Sequence, residues 1–178
     1  MLELYTDRLK IRSLQRADWQ VFLSIHQDLE LNQFVRRPES IQAISDKFEA
    51  RLLPWLFDSG DWLTLTIEEI DTGNIIGFTG LYASNVDLGH AEVGYMLSQA
   101  GQGQGYATES LAAVIDWASL SHQVHKFIGL CATENRASVR VLEKCGFQLE
   151  GVLRHNYRID DRWIDDCCFG LLTHERAL

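Results

Sequence analysis

The chain has 178 residues, of which 46% are hydrophobic and 23% charged, and it carries a formal net charge of −9 at pH 7. That length predicts one domain over 1–178 with room for a substantial core, and that balance excludes a disordered chain. The acidic excess argues against nucleic acid as the main partner, because binding a phosphate backbone needs a basic face; a cationic partner fits better.

Residues 1–8 are polar and charged, so no signal peptide is expected, and no apolar run reaches membrane-spanning length. The alternation around Leu9 and Ile11 predicts a first strand ending near Ser13. Trp19, Phe22, Leu23 and His26 then give a helical stripe, with Asp18 or a residue slightly earlier as its cap. Residues 34–39 are irregular, with Pro38 breaking any helix, and Ile44, Phe48, Leu52 and Leu56 form a second helical face interrupted by Pro54. Residues 61–70 read as a strand, Asp71-Thr72-Gly73-Asn74 as a hairpin turn, and 75–82 as the returning strand. A further strand follows at 91–98. Beyond a glycine-rich loop, Leu111, Val114, Ile115 and Ala118 mark one face of a helix. Residues 126–132 predict a strand, 136–144 a helix ended near Gly146, and 147–157 with 163–172 two strands joined at Asp160-Asp161. This order fits an α/β (α+β) fold: a mixed, largely antiparallel central sheet of about seven strands with helices on both faces, rather than a doubly wound Rossmann sheet.

Gly101-Gln102-Gly103-Gln104-Gly105-Tyr106-Ala107-Thr108-Glu109 holds the strongest chemical signal. Alternating glycines remove side chains where a helix begins, and no Ser, Thr, Asp or Asn between Gln99 and Tyr106 caps its first turn. Free amides at the positive end of a helix dipole make an anion site, with pyrophosphate as the expected occupant. A flexible Gly/Gln surface loop is the plain alternative, and the strand–loop–helix context argues against it. The loop lacks the Gly-Lys-Ser/Thr ending of a P-loop, and its spacing fails the dinucleotide fingerprint.

Cys131, Cys145, Cys167 and Cys168 fit no metal spacing, so no metal is expected. Cys131 and Cys145 read as small core hydrophobes, Cys167 and Cys168 as opposite faces of a strand, and the set as thiols of a reducing, cytoplasmic compartment.

Three segments together resemble the GNAT superfamily of acetyl-coenzyme A-dependent acyltransferases, and within it the branch that acetylates N-terminal alanine or serine of ribosomal proteins. They are Thr6-Asp7-Arg8-Leu9-Lys10-Ile11-Arg12; Ala91-Glu92-Val93-Gly94-Tyr95-Met96-Leu97 followed by residues 103–109; and Asn135-Arg136-Ala137-Ser138 with Leu142-Glu143-Lys144-Cys145-Gly146-Phe147. The resemblance spans essentially the whole chain and implies a sheet splayed after the strand that ends near Leu97, the fourth of the seven. It implies that acetyl-CoA is the donor. Main-chain groups near Leu97 would pair with the pantetheine arm, and amides from Gln102 through Gly103, Gln104, Gly105, Tyr106, Ala107 and Thr108 would hold the pyrophosphate. Asn135 and Ser138 would face the thiol end. Two positions depart from the superfamily pattern: Ala100 stands where Gln or Arg is usual, and Leu142 stands where many members carry the tyrosine that protonates the thiolate.

Acetyl transfer needs a neutral amine, a polarised carbonyl and a proton for the departing thiolate. An α-amine, with a pKa near ~8 against ~10.4 for lysine, needs only a mild base. Glu92 is the expected base, with a solvated strand-edge carboxylate as the alternative. Ser138 is the expected acid, with first-turn polar surface after an Asn135 cap as the alternative. His155, Tyr157, Asp160, Asp161, Asp165 and Asp166 form a polar cluster around the terminal hairpin, read either as ordinary turn chemistry or as an acceptor channel. Trp62 is the one tryptophan expected to edge an acceptor site. The expected partner is an amine substrate such as a ribosomal-protein N-terminus, reached in a ternary complex, with no membrane and as monomer or homodimer. A small-molecule acceptor (polyamine, amino sugar, aminoacyl antibiotic) and a non-catalytic acyl-CoA sensor are the alternatives.

Overall fold

Leu9 and Ile11 are fully buried and Lys10 between them is half-exposed, the period of two that places β2 (Leu9–Ser13) in a sheet. A computed structural model describes residues 1–176. β2 pairs antiparallel with β1 (Glu3–Tyr5) on one side and β3 (Leu63–Glu69) on the other. Between β2 and β3 the chain forms α1 (Trp19–Gln27), the single turn α2 (Leu29–Asn32) and α3 (Ile41–Arg51). β3 turns back into β4 (Ile75–Asn85) at Gly73, whose φ of 71° suits glycine, and β4 into β5 (His90–Leu97). α4 (Tyr106–His122) then crosses to β6 (Lys126–Ala132), and α5 (Arg136–Lys144) leads to the hairpin of β7 (Gln148–Ile159) and β8 (Arg162–Leu172).

The strands make one eight-stranded sheet in the order β1-β2-β3-β4-β5-β6-β8-β7. Every neighbouring pair is antiparallel except β5 and β6, which run parallel and pair only at His90–Lys126, Ala91–Phe127 and Glu92–Ile128. Past Glu92 the two strands separate, so the sheet is splayed after the strand that ends at Leu97, as the resemblance implies. One face buries Leu65, Ile67, Leu81 and Val93 against Leu111, Val114, Ile115 and Ala118 of α4. On the other, Phe78 joins Phe22 and Ile25 of α1 and Ile44 and Phe48 of α3. Helices on both faces follow from apolar residues on both sides of β3–β5.

Four local features differ from the sequence expectation. The sheet has eight strands because β1 adds an edge; its three residues are exposed or half-buried and carry no apolar alternation to read. α2 exists because the Asp28 carboxylate accepts the amides of Glu30 and Leu31, at 2.9 and 3.0 Å. α3 stops at Arg51, so Leu56 is 66% exposed and does not extend its apolar face. Asp18 is buried and does not cap α1: its carboxylate accepts two N–H groups of Arg12 and the Thr66 hydroxyl, all at 2.8 Å, and the Gln15 amide at 2.9 Å. Burial opposes its charge, but Arg12 and these hydrogen bonds outweigh it and hold the carboxyl below its ordinary range.

Candidate functional site

At the end of β5 a short turn at 99–101 leads into the glycine loop. Gly103 and Gly105 adopt φ of 74° and 84°, the left-handed region, and Gly105 is the N-cap of α4 with no side-chain cap. The Gln102 amide is used within the turn, donating to the Gln99 carbonyl at 3.2 Å. Among the described residues, the amides of 103–108 meet no acceptor in the protein. These amides therefore gather at the positive end of a 17-residue helix. A Cβ built at Gly103 would meet nothing within 4 Å, so the concavity opens outward. Bare amides in an open cradle fit the pyrophosphate of coenzyme A. Gln102 and Gln104 brace the loop from beneath, donating side-chain amides to the Leu97 and Ala100 carbonyls at 3.4 and 2.8 Å.

The N-terminal segment supports this loop. Glu109, in the first turn of α4, accepts the Thr6 hydroxyl at 2.6 Å and two N–H groups of Arg8 at 2.8 and 2.6 Å. Arg8 also donates to the Gln104 carbonyl at 3.1 Å and lies over the Tyr106 ring at 4.4 Å. A carboxylate beside an anion site would repel its ligand, and Arg8 neutralises it. Residues 6–8 and 103–109, far apart in sequence, are thus one structural unit.

Beyond Glu92 the β6-facing edge of β5 has no strand partner, so the main chain of 93–97 offers an extended arm a strand-like seat. The gap opens into a cavity of about 940 Å³ lined by Leu97, Gln102, Gly103, Gly105, Tyr106, Ala107, Thr108, Asn135 and Ser138, and continuing past Glu92 to the opposite face. The structure thus brings together all but one of the sequence-predicted residues; Gln104 braces the loop from outside the cavity wall.

Two groups meet at the α5 side of the gap. The Tyr95 hydroxyl lies 2.7 Å from Ser138 Oγ, and either can donate. Asn135 caps α5, its side-chain oxygen accepting the Ser138 amide at 3.1 Å, so it is both cap and cavity wall. Burial pushes the Tyr95 phenol well above its ordinary pKa, which keeps it protonated. Sequence reading missed Tyr95 because an aromatic in an apolar strand looks like core; its partner is 43 residues away. Leu142 is 1% exposed, and a Cβ at Gly129 would lie 2.6 Å from its Cδ2, so it fills space on β6.

On the face toward α1 and α3, Glu92 accepts the Tyr82 hydroxyl at 3.1 Å. Burial raises its carboxyl pKa against that hydrogen bond, and the nearby Asp166 adds to the rise. Trp62 leans on Tyr82 with ring centroids 4.8 Å apart and covers Gly94, where any Cβ would lie 3.1 Å from the indole. Trp62 therefore edges the cavity. The terminal polar cluster divides. Tyr157 and Asp166 reach the cavity, Tyr157 donating to the Phe34 carbonyl at 2.5 Å and Asp166 accepting the Asn156 amide at 3.2 Å. His155 stacks on Trp163, Asp165 accepts the His155 amide at 2.8 Å, and Asp160 takes a φ of 55° in the hairpin turn.

All four cysteines are free. Burial pushes the Cys131 and Cys145 thiols up to about 11, so neither is a thiolate nucleophile at neutral pH. Among the described residues no group of three His, Cys, Asp or Glu could hold a metal ion, and no described helix is long and apolar enough to cross a membrane.

Comparison with known proteins points one way. The family model described as acetyltransferase (GNAT) domain matches residues 8–148. The N-acetyltransferase p20 of Bacillus licheniformis, itself uncharacterized, is 29% identical over 181 residues, 99% of each chain. The ribosomal protein uS5 alanine N-acetyltransferase of Escherichia coli is 32% identical over 106 residues, covering 58% of this chain and 54% of that one. In fold, the chain is similar to spermidine N-acetyltransferase of Vibrio cholerae, solved with CoA and spermine, at a TM-score of 0.83 and 23% identity over 96% of this chain and 98% of that one.

Proposed function

The chain belongs to the acetyltransferase (GNAT) family, whose donor is acetyl-CoA, and from that premise we propose that it acetylates a protein N-terminal α-amine by direct transfer in a ternary complex. The observation that carries this reading is a half-buried carboxylate of raised pKa, Glu92, lining the cavity beside the open edge of β5. A carboxylate is a weak base. It matches an α-amine, which is partly neutral near pH 8, better than a lysine side chain, which is almost fully charged there. The partial similarity to an alanine N-acetyltransferase supports the same acceptor. A cytoplasmic setting fits four unpaired cysteines.

Strand alternation sends Glu92 to the α1/α3 face and Tyr95 to the α5 side. Bound acetyl-CoA supplies a thioester whose carbon exchanges sulfur for nitrogen. Glu92 takes the proton that the amine loses, directly or through one water. Ser138 passes its hydroxyl proton to the departing thiolate as it takes one from the Tyr95 phenol hydrogen-bonded to it. The proton that Glu92 gains is released to solvent, from which the pair is re-protonated. Asn135 fixes the first turn of α5 and with it the Ser138 hydroxyl. Base and acid thus stand on opposite sides of the gap, so acceptor and donor need not compete for one entrance.

The test is thiol release from acetyl-CoA with a panel of amines: Ala- and Ser-starting peptides, a lysine peptide with a blocked N-terminus, spermidine and an aminoglycoside. Release confined to the free N-terminal peptides is expected. Release confined to spermidine or the aminoglycoside overturns the protein acceptor.

A further inference from the structure

The acceptor end of the cavity carries both charges, Arg36 and Arg51 lining it together with Glu30, Glu92 and Asp166. In a chain of net charge −9, three cations, Arg36, Lys47 and Arg51, gather beside α1 and α3. Glu39 is the carboxylate among them, paired with Arg36 at 3.4 Å and with Lys47. His26, at the same wall, is held neutral at pH 7, burial bringing its pKa down to about 4.

Arg51 differs from its neighbours. It is half-buried at the C-terminal end of α3 and lines the cavity. Its one hydrogen bond runs from Nη1 to the Thr64 hydroxyl at 3.1 Å, and no carboxylate of a described residue pairs with it. Burial and the neighbouring Arg36 bring its pKa down to about 10, which leaves it charged at neutral pH. An unpaired cation withdrawn from water is unfavourable unless an anion completes it, and four of the five guanidinium N–H donors remain for one.

The register sets the distance to the chemistry. Thr64 pairs with Gly80, and Gly80 with Gly94, one side-chain step along β5 from Glu92. Two strand spacings separate Thr64 from β5, about 10 Å. Gly80 and Gly94 carry no side chains on this path, but the Trp62 indole lies over Gly94, so an acceptor reaching from Glu92 to Arg51 passes along that indole.

We propose that Arg51 binds an anionic group of the acceptor, a carboxylate or phosphate roughly 10 Å from the amine that reacts at Glu92. This rests on the reading of the chain as an amine acetyltransferase and narrows its substrate class. In an extended peptide rising about 3.3 Å per residue, the side chain of the second or third residue reaches that far. The acceptor is then an N-terminus with Asp or Glu at one of those positions. Polycations such as spermidine meet Arg36 and Arg51 and are disfavoured.

The experiment compares kcat/KM for an Ala-starting peptide with Asp or Glu at positions two and three against its Ala-substituted counterpart, in wild type, Arg51→Gln and Arg51→Lys. An amino-sugar phosphate and its unphosphorylated amine form a second arm. In parallel, binding of each peptide to enzyme saturated with CoA is measured by calorimetry. The wild type is expected to prefer the acidic peptide by roughly 10- to 100-fold, mainly through KM. That ratio should collapse toward one in Arg51→Gln and be partly retained in Arg51→Lys. A larger ratio for the amino-sugar pair would assign the anion to a small phosphorylated acceptor. Equal use of acidic and neutral acceptors by the wild type, or a ratio that persists in Arg51→Gln, overturns the proposal. Binding preference without thiol release from any amine would leave the anion site standing and remove the acetyl-transfer reading.

Discussion

Replacing Glu92 by Gln is expected to lower kcat for an Ala-starting peptide by roughly 100-fold or more, the usual contribution of a positioned general base. Gln keeps the volume and can still accept from Tyr82, so the site's shape is preserved and only the proton acceptor is lost. The pH profile separates the base from a bystander. Glu92 works ionised, and burial places its pKa above the ordinary carboxylate range. Wild-type activity should therefore fall as pH drops, in a limb set by the deprotonation of the amine and a second set by Glu92. The variant should keep the amine limb and lose the other. A kcat within about twofold of wild type, or an unaltered profile, would show Glu92 to be a structural carboxylate.

Replacing Gly103 by Val is expected to raise the dissociation constant for acetyl-CoA by roughly 30-fold or more. The φ of 74° is unfavourable for a β-branched residue, and such strain costs about 1–3 kcal/mol. The isopropyl group would also occupy the concavity into which the loop amides point. Nothing in the protein lies within 4 Å of the added Cβ, so the fold itself should survive. Calorimetry of acetyl-CoA binding, alongside a thermal melt, measures both. An unchanged affinity in a folded variant would remove the pyrophosphate from this loop.

Much of this architecture is legible from sequence wherever one segment carries its own pattern. β6 and α5 have the expected bounds because an apolar run and an asparagine cap with a glycine stop are local signals. The glycine loop is legible for the same reason: three alternating glycines without a capping side chain already describe a bare helix N-terminus. What escapes is whatever depends on distant partners. Asp18 resembles a helix cap until Arg12 and Thr66, the latter 48 residues away, draw its carboxylate into the interior. Tyr95 looks like strand core until α5 brings Ser138 to its hydroxyl. Arg51 has no local signal in the sequence, and only its hydrogen bond to Thr64 on β3 shows that no carboxylate of a described residue pairs with it. Ser138 and Asn135 show the reverse, since capping and cavity-lining roles coexist in one turn.

The most direct measurement is amide hydrogen exchange with and without CoA. If the coenzyme lies along the open edge of β5 with its pyrophosphate on the loop, residues 93–97 and 103–108 should gain protection together. Protection confined to other segments, or unchanged exchange across both, would contradict the site.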